Sequence, residues 1–311
     1  MNIRAWLRVA GAMSSRSPLP VIVLLCACAP SAVRHETGAT PAAGAARQPG
    51  APIALTYLGV AGWQVEADGK ILIADPYLSR PANRDQPVVP DATAIAAHTP
   101  AHADLVFVGH SHLDHLLDAP SVALRTGARL LGSVSTTRVG RASGLPDDRL
   151  MTVGGGEDLE MDGYSIRAIA SLHSVIGEEY TGGVIDPAPK LPMAMAQYRE
   201  GGTLAYLVRI AGRQILVFDT ANFIEREVAG LRPDIAIIAP GLRERVHDYT
   251  CRLLEAIGHP PIVIATHFDT WTAAPVDAPD SPDLVKFADE VHRCSPGTRF
   301  IVPHHFERIT L

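Results

Sequence analysis

Hydrophobic and polar positions divide the chain into an N-terminal stretch without a repeating pattern and a long patterned region that begins at Ile53. IALTYL, GWQVEA and KILIAD are short apolar runs separated by Gly59 and by Asp68-Gly69, the signature of a strand meander. Residues 80–104 are polar and proline-rich, with one helical turn expected around Ala92–Ala97. Leu105–Val108 is a continuous apolar run, read as a buried strand, and Ala119–Thr126 is helix-like with Pro120 tolerated in the first turn. The order then repeats. RLLGS, SIRAIASLH, TLAYLVRIAG and RQILVFD are strand-like, IAIIAP and IVIATH are buried strands, and Tyr249–Ile257 and Pro282–Cys294 are amphipathic helices. A meander followed by alternating strands and helices, occurring twice, suits an α/β protein built as a four-layer αββα sandwich. Periodicity alone does not separate that arrangement from other α/β folds.

The chemistry concentrates directly after the run Leu105–Val108, in Gly109-His110-Ser111-His112-Leu113-Asp114-His115. Imidazole and carboxylate are the usual ligands of borderline cations such as zinc. In an extended segment, side chains two apart point the same way, so His110 and His112 can grip one ion together. Asp114 and His115, at the turn into the next element, can face a second ion. Further single polar residues end buried strands: His173 after SIRAIASL, Asp219 after RQILVF and His267 after IVIAT. Each has a structural alternative. His173 could be a core histidine, Asp219 a helix N-cap before Ala221–Val228, and His304, which ends RFIVPH, rivals His267.

The run HSHLDH matches the H-x-H-x-D-H signature of the metallo-β-lactamase superfamily, and the resemblance extends from Ile53 to the C-terminus. The opening IALTYLGVAGWQVEADGKILIADPYLS resembles the branch that holds ascorbate-phosphate lactonases and phospholipase-D-like phosphodiesterases. The resemblance implies the metallo-β-lactamase fold. It also implies two divalent ions, zinc by preference with manganese or iron as alternatives. His110, His112 and His173 would hold one ion, Asp114, His115 and His267 the other, with Asp219 bridging. Such a pair can share a water and lower its pKa towards about 7, with Asp114 orienting it or moving its proton. Asp75 matches a position close to the metal histidines and could hydrogen-bond to one of them, or be a plain Asp-Pro turn. His304 is a candidate substrate contact at the rim, and residues 176–203 a candidate lid. The function implied is hydrolysis of a small-molecule phosphodiester, lactone or other ester. The alternative is a non-catalytic metal-binding or scaffold protein on the same fold, although all seven ligand positions are filled here. A di-iron oxidoreductase would need a partner flavin domain, for which the chain after His305 leaves no room.

Composition narrows partners and location. With 47% hydrophobic and 19% charged residues in 311, the chain has ample material for a core. Loss of residues 1–27, with their three arginines, would take the net charge from −6 to −9. An acidic surface without blocks of Lys and Arg argues against nucleic acid as a partner. Residues 1–27 read as a signal peptide, since the apolar part from Leu19 to Ala29 falls short of the roughly 20 residues of a membrane span. Leu25-Cys26-Ala27-Cys28 looks like a bacterial lipobox, which would make Cys28 the lipidated residue and the membrane a partner through that anchor; an ordinary signal peptide or an unprocessed apolar leader is the alternative. Residues 28–52, rich in Ala, Gly, Pro and Thr, are expected to form a flexible tether to a domain spanning 53–311. The location expected is periplasmic, or the periplasmic face of the outer membrane. Disulfides persist in that setting. Cys251 and Cys294 lie in separate helix-like segments, and pairing, which needs Cα atoms within about 7 Å, is left open.

Overall fold

The computed structural model describes residues 51–272 and 281–311. The leader, Cys28 and nearly all of the expected tether lie outside the described residues. Three strands open the fold: β1 (Ala54–Gly59), β2 (Gly62–Ala67) and β3 (Lys70–Ala74), antiparallel neighbours as the turn signals predict. There follow α1 (Ala92–His98), β4 (Leu105–Phe107), α2 (Leu113–Leu116), α3 (Ala119–Thr126), β5 (Arg129–Gly132), α4 (Val134–Ala142) and β6 (Leu150–Thr152). The second half supplies β7 (Asp158–Met161), β8 (Tyr164–Ala170), β9 (Leu204–Ile210) and β10 (Arg213–Phe218). It continues through α5 (Glu225–Val228), β11 (Ile235–Ile238), α6 (Tyr249–Ala256), β12 (Ile262–Ala265), α7 (Pro282–Cys294) and β13 (Arg299–Ile301). The last strand, β14 (Arg308–Thr310), returns to pair with β1.

These strands form two seven-stranded mixed sheets, ordered β14-β1-β2-β3-β4-β5-β6 and β13-β12-β11-β10-β9-β8-β7. Each runs antiparallel through its meander and parallel where helices make the crossovers. Their facing sides share one core, including Leu55, Tyr57, Trp63, Leu72, Phe107, Ile166, Tyr206, Val208 and Ile237. A second core packs Ile73, Val106 and Leu130 of the first sheet against Leu116, Val122 and Val139 of its helices. A third packs Leu207, Leu216 and Ile238 of the second sheet against Leu253, Phe287 and Val291. Parallel strands covered on both faces read as unbroken apolar runs, which is why β4, β11 and β12 carry no polar alternation. The architecture is the αββα sandwich of the metallo-β-lactamase fold.

Some elements depart from the sequence pattern. α4, with the sequence VSTTRVGRA, is rich in β-branched residues and contains Gly140, a poor intrinsic helix. Packing overrides propensity here: a Cβ at Gly140 would press on the side chains of Leu130 and Leu150, so glycine lets the helix lie close against its sheet. The helix after Asp219 begins at Glu225 rather than Ala221, with Ile224 at its N-cap, which removes the capping role considered for Asp219. Cys251 and Cys294 are joined in a disulfide, Cα atoms 5.0 Å apart, tying α6 to α7. Among the described residues no helix is long and apolar enough to cross a membrane.

Candidate metal centre

All the strands that carry candidate ligands end at one rim of the sandwich. β4 leads into the extended segment 108–112 and the single turn α2, so His110 and His112 precede the helix while Asp114 and His115 ride on it. β8, β10 and β12 deliver His173, Asp219 and His267. The structure brings all seven together in three groups whose potential ligand atoms lie within 4.8 Å of one another. The groups are His110, His112 and His173; His110, His115 and Asp219; and Asp114, His115 and His267. The first and last are the two triads that the resemblance implied, and Asp219 stands between them. Asp219 Oδ2 lies 2.7 Å from His110 Nδ1 and 3.5 Å from His115 Nδ1, while His267 Nε2 lies 3.3 Å from Asp114 Oδ2.

Backbone conformation and hydrogen bonds fix these positions. Asp75, 1% exposed, accepts from the Gly109 N–H at 2.8 Å and places Oδ1 3.4 Å from His115 Nδ1. It thus braces the loop by a hydrogen bond and sets its carboxylate beside a ligand without hydrogen-bonding to it. Asp75 (φ 38°) and His267 (φ 50°) adopt left-handed backbone conformations unusual for residues with side chains. Strain of that kind persists where surroundings over-determine it, often at functional sites. Two further features were not visible as signals in the sequence. A Cβ at Gly109 would collide with the Asp219 carboxylate, so only glycine lets β10's ligand approach the loop after β4. The His267 loop, in turn, is pinned to the first sheet. The His267 N–H donates to the Val60 carbonyl at 2.6 Å, and buried Asp269 accepts from the Tyr57 hydroxyl, the Val60 N–H and Arg80, and lies 2.9 Å from His305 Nε2.

The electrostatics suit a cation. Burial pulls His110, His112, His115 and His173 below the ordinary histidine range, leaving neutral imidazoles, the form that ligates. Asp219 is pushed up by burial against the pull of its histidine neighbours, and Asp75 is pushed up by burial and by Asp219. Burial also opposes the charge on Asp114, yet His115 and His267 hold its carboxyl well below the usual range. His267 is raised in return: burial opposes it, but the Asp114 carboxylate outweighs burial. The sharpest sign is His115, which is fully buried with neither ring nitrogen hydrogen-bonded. A buried polar group without a hydrogen bond is costly and calls for an explanation. An ion shared with Asp114 and His267 would supply one, so the residues present fit divalent metal.

The cluster lines a cavity of about 500 Å³. Segment 171–203 walls one side through Ile176, Thr181, Met195 and Tyr198, and the Thr181 carbonyl lies 3.2 Å from His112 Nε2. The segment is held down, since the Ser111 N–H donates to the Glu200 carbonyl and Ile185, Met193 and Tyr198 are buried. His304 is exposed and does not line the cavity, so the structure does not bring it to the rim as a substrate contact or as a rival to His267.

Fold and site together are those of a two-layered β-sheet metalloprotein, and sequence comparison agrees. Residues 54–218 match the family model described as the beta-lactamase superfamily domain, and the chain belongs to that superfamily. A UPF0173 metal-dependent hydrolase of Methanopyrus kandleri is 27% identical over 223 residues, covering 70% of this chain and 84% of the relative. Among solved structures, Igni18, a metallo hydrolase of Ignicoccus hospitalis, superposes with a TM-score of 0.57 at 19% identity, covering 84% of this chain and 98% of that one. CmlA, a diiron β-hydroxylase of Streptomyces venezuelae, gives 0.58 at 18% identity, covering 85% of this chain and 54% of its own. At these identities the structural likeness establishes the fold.

Proposed function

We propose that the protein is a metal-dependent hydrolase that cleaves a small-molecule ester, lactone or phosphodiester at a dinuclear site, with zinc as the preferred metal. One observation carries this reading: seven potential ligands from four strand ends converge on a ligand-sized cavity, in groups that divide into two triads and a shared carboxylate. The hydrolase names of the sequence relatives support the same class. A non-catalytic scaffold has less support, because such a role needs neither a complete ligand set nor an open cavity beside it.

His110, His112 and His173 would hold one ion and Asp114, His115 and His267 the other, with Asp219 between them. Bound divalent ions would supply Lewis acidity, acidifying water and polarising the bond under attack. The protein's own groups do the rest. Asp114, 14% exposed, stands with Oδ2 beside His267 Nε2, where it can orient the attacking water and take up its proton. Water adds to the carbonyl carbon or phosphorus, the bond to the leaving oxygen breaks, and the proton passes to that oxygen. Asp75 and the Gly109 N–H keep the loop carrying His110 in place, and segment 171–203 limits the entry of bulk water. The branch of lactonases and phosphodiesterases remains the finer reading, supported by the opening strands. Export with a lipid anchor at Cys28 belongs to the same proposal, supported by the lipobox-like residues and by a disulfide of the kind that persists in oxidising compartments.

The test is metal analysis of the purified protein combined with turnover of esters, lactones and phosphodiesters before and after chelation. The reading expects two metal equivalents and activity that chelation abolishes and metal restores. Full activity in metal-free protein would overturn it.

A further inference from the structure

The cavity wall combines the seven metal-site residues with many apolar side chains. All seven line the cavity. The rest of the wall includes Leu113, Ile176, Met195, Tyr198, Leu242 and Trp271, together with the uncharged Ser174, Thr181, Thr220 and Gly241. Among the described residues no lysine or arginine lines it, and its lining carboxylates, Asp114 and Asp219, both belong to the metal site. Two guanidinium groups near this wall are engaged by other partners. Arg84 stacks on Trp271 at 4.9 Å and donates to the Pro81 carbonyl, and Arg245 donates to the Val175 carbonyl at 2.9 Å. The flanks of the wall are apolar too: Val175 and Tyr180, next in the chain to lining residues Ile176 and Thr181, are 46% and 42% exposed.

A charged substituent placed against these apolar walls would lose its hydration and gain no counter-charge from a lining lysine or arginine, the situation that makes unpaired buried ions unfavourable. An apolar chain would gain there. A cavity of about 500 Å³ lies within the range of about 300–1,000 Å³ that holds drug-sized ligands. Resting on the hydrolase reading above, we propose that the substrate is an uncharged carboxylic ester or lactone bearing an apolar acyl chain. Its scissile carbonyl would sit at the histidine–aspartate cluster and its chain among Ile176, Met195, Leu242 and Trp271. Nucleotides, phosphorylated sugars and other polyanions are thereby disfavoured, and so is the phosphodiester option of the broader reading.

The experiment uses the zinc-loaded protein with p-nitrophenyl acetate, butyrate and octanoate, with p-nitrophenyl hemisuccinate, and with bis(p-nitrophenyl) phosphate. The expected result is kcat/KM rising from acetate to octanoate by about fourfold per methylene over the first added methylenes, the factor that burial of one CH₂ provides. Butyrate should exceed hemisuccinate, its charged counterpart of equal acyl length, by at least about tenfold. Met195→Lys should shrink that preference by about tenfold with metal content retained, because the new cation favours the succinyl carboxylate. A flat chain-length series, hemisuccinate equal to butyrate, or faster turnover of the phosphodiester overturns this inference while leaving the hydrolase reading intact. If nothing is turned over, the hydrolase reading fails instead, and calorimetry with octanoate and acetate decides the cavity's chemistry. Octanoate binding more than about tenfold tighter than acetate, the gain from only a few buried methylenes, upholds the apolar site, and equal binding overturns it.

Discussion

The two sheets contribute to the site in opposite styles. The first concentrates its donors in six residues after β4, on an extended strand exit and one helical turn, so four of them are neighbours in the chain. The second sends His173, Asp219 and His267 singly from β8, β10 and β12, each separated from the next by more than 40 residues. A compact motif can be organised locally by its own loop. Dispersed residues converge only if both sheets fold in register and pack at the right distance. The first sheet therefore sets what can be bound, and the second determines whether a complete centre exists.

Substitutions can break that division, and the largest effect should come where the two contributions meet. Asp219→Ala removes the carboxylate standing between both triads. Loss of a residue that merely supports a metal ligand costs about 10–100-fold in affinity or activity, so loss of Asp219 should cost at least about 100-fold in hydrolysis, with metal content falling in parallel by elemental analysis. Gly109→Ala probes the same junction from the other sheet. The added Cβ meets the Asp219 carboxylate, so metal content and activity should drop while circular dichroism still reports a folded protein. A variant with wild-type metal content would show that the junction tolerates displacement.

His267 and His304 sharpen the comparison, because both end strand-like runs in the second half. His267→Ala should lower metal content and activity by at least about tenfold, whereas His304→Ala should leave metal content unchanged, as expected of an exposed residue outside the cavity. The reverse pair of results would reassign the second triad.

Smaller effects fall on the helices that cover the second sheet. Reducing the Cys251–Cys294 link, which spans 43 residues, should cost up to about 4 kcal/mol in the chain-entropy account. Urea midpoints of the Cys251→Ser variant read that loss. Glu290 on α7 accepts from Arg243 and Thr250; burial opposes its charge, but these partners hold its carboxyl below the ordinary value. A carboxylate depressed in the folded state stabilises fully above its unfolded pKa of about 4.3. That contribution is lost as pH falls through the lower folded value. Glu290→Gln should therefore flatten the acid side of the stability curve modestly and leave pH 7 activity unaltered.

This contrast also explains what could be read in advance. The histidine motif was legible because adjacency alone makes it improbable as a polar loop. The dispersed ligands were legible only because each ends an otherwise unbroken apolar strand, where a lone polar residue stands out. Gly109 carried no such signal, since its need for a bare Cα arises from a carboxylate 110 positions later in the chain. The same holds for Asp269, whose partners Tyr57, Arg80 and His305 come from opposite ends of the domain. α4 was hidden for another reason: its helix is imposed by close packing at Gly140 against propensity. Pairing of Cys251 with Cys294 waited on how α6 and α7 lie side by side, which no spacing rule supplies.

The central claim, that residues from both sheets build one two-metal hydrolytic centre, is tested most directly by anomalous diffraction from crystals of the zinc-loaded protein. The account predicts two peaks about 3.5–4 Å apart, one among His110, His112 and His173, the other among Asp114, His115 and His267, with Asp219 contacting both. A single peak that leaves either triad empty at saturating zinc, or ions bound away from these residues, would contradict it.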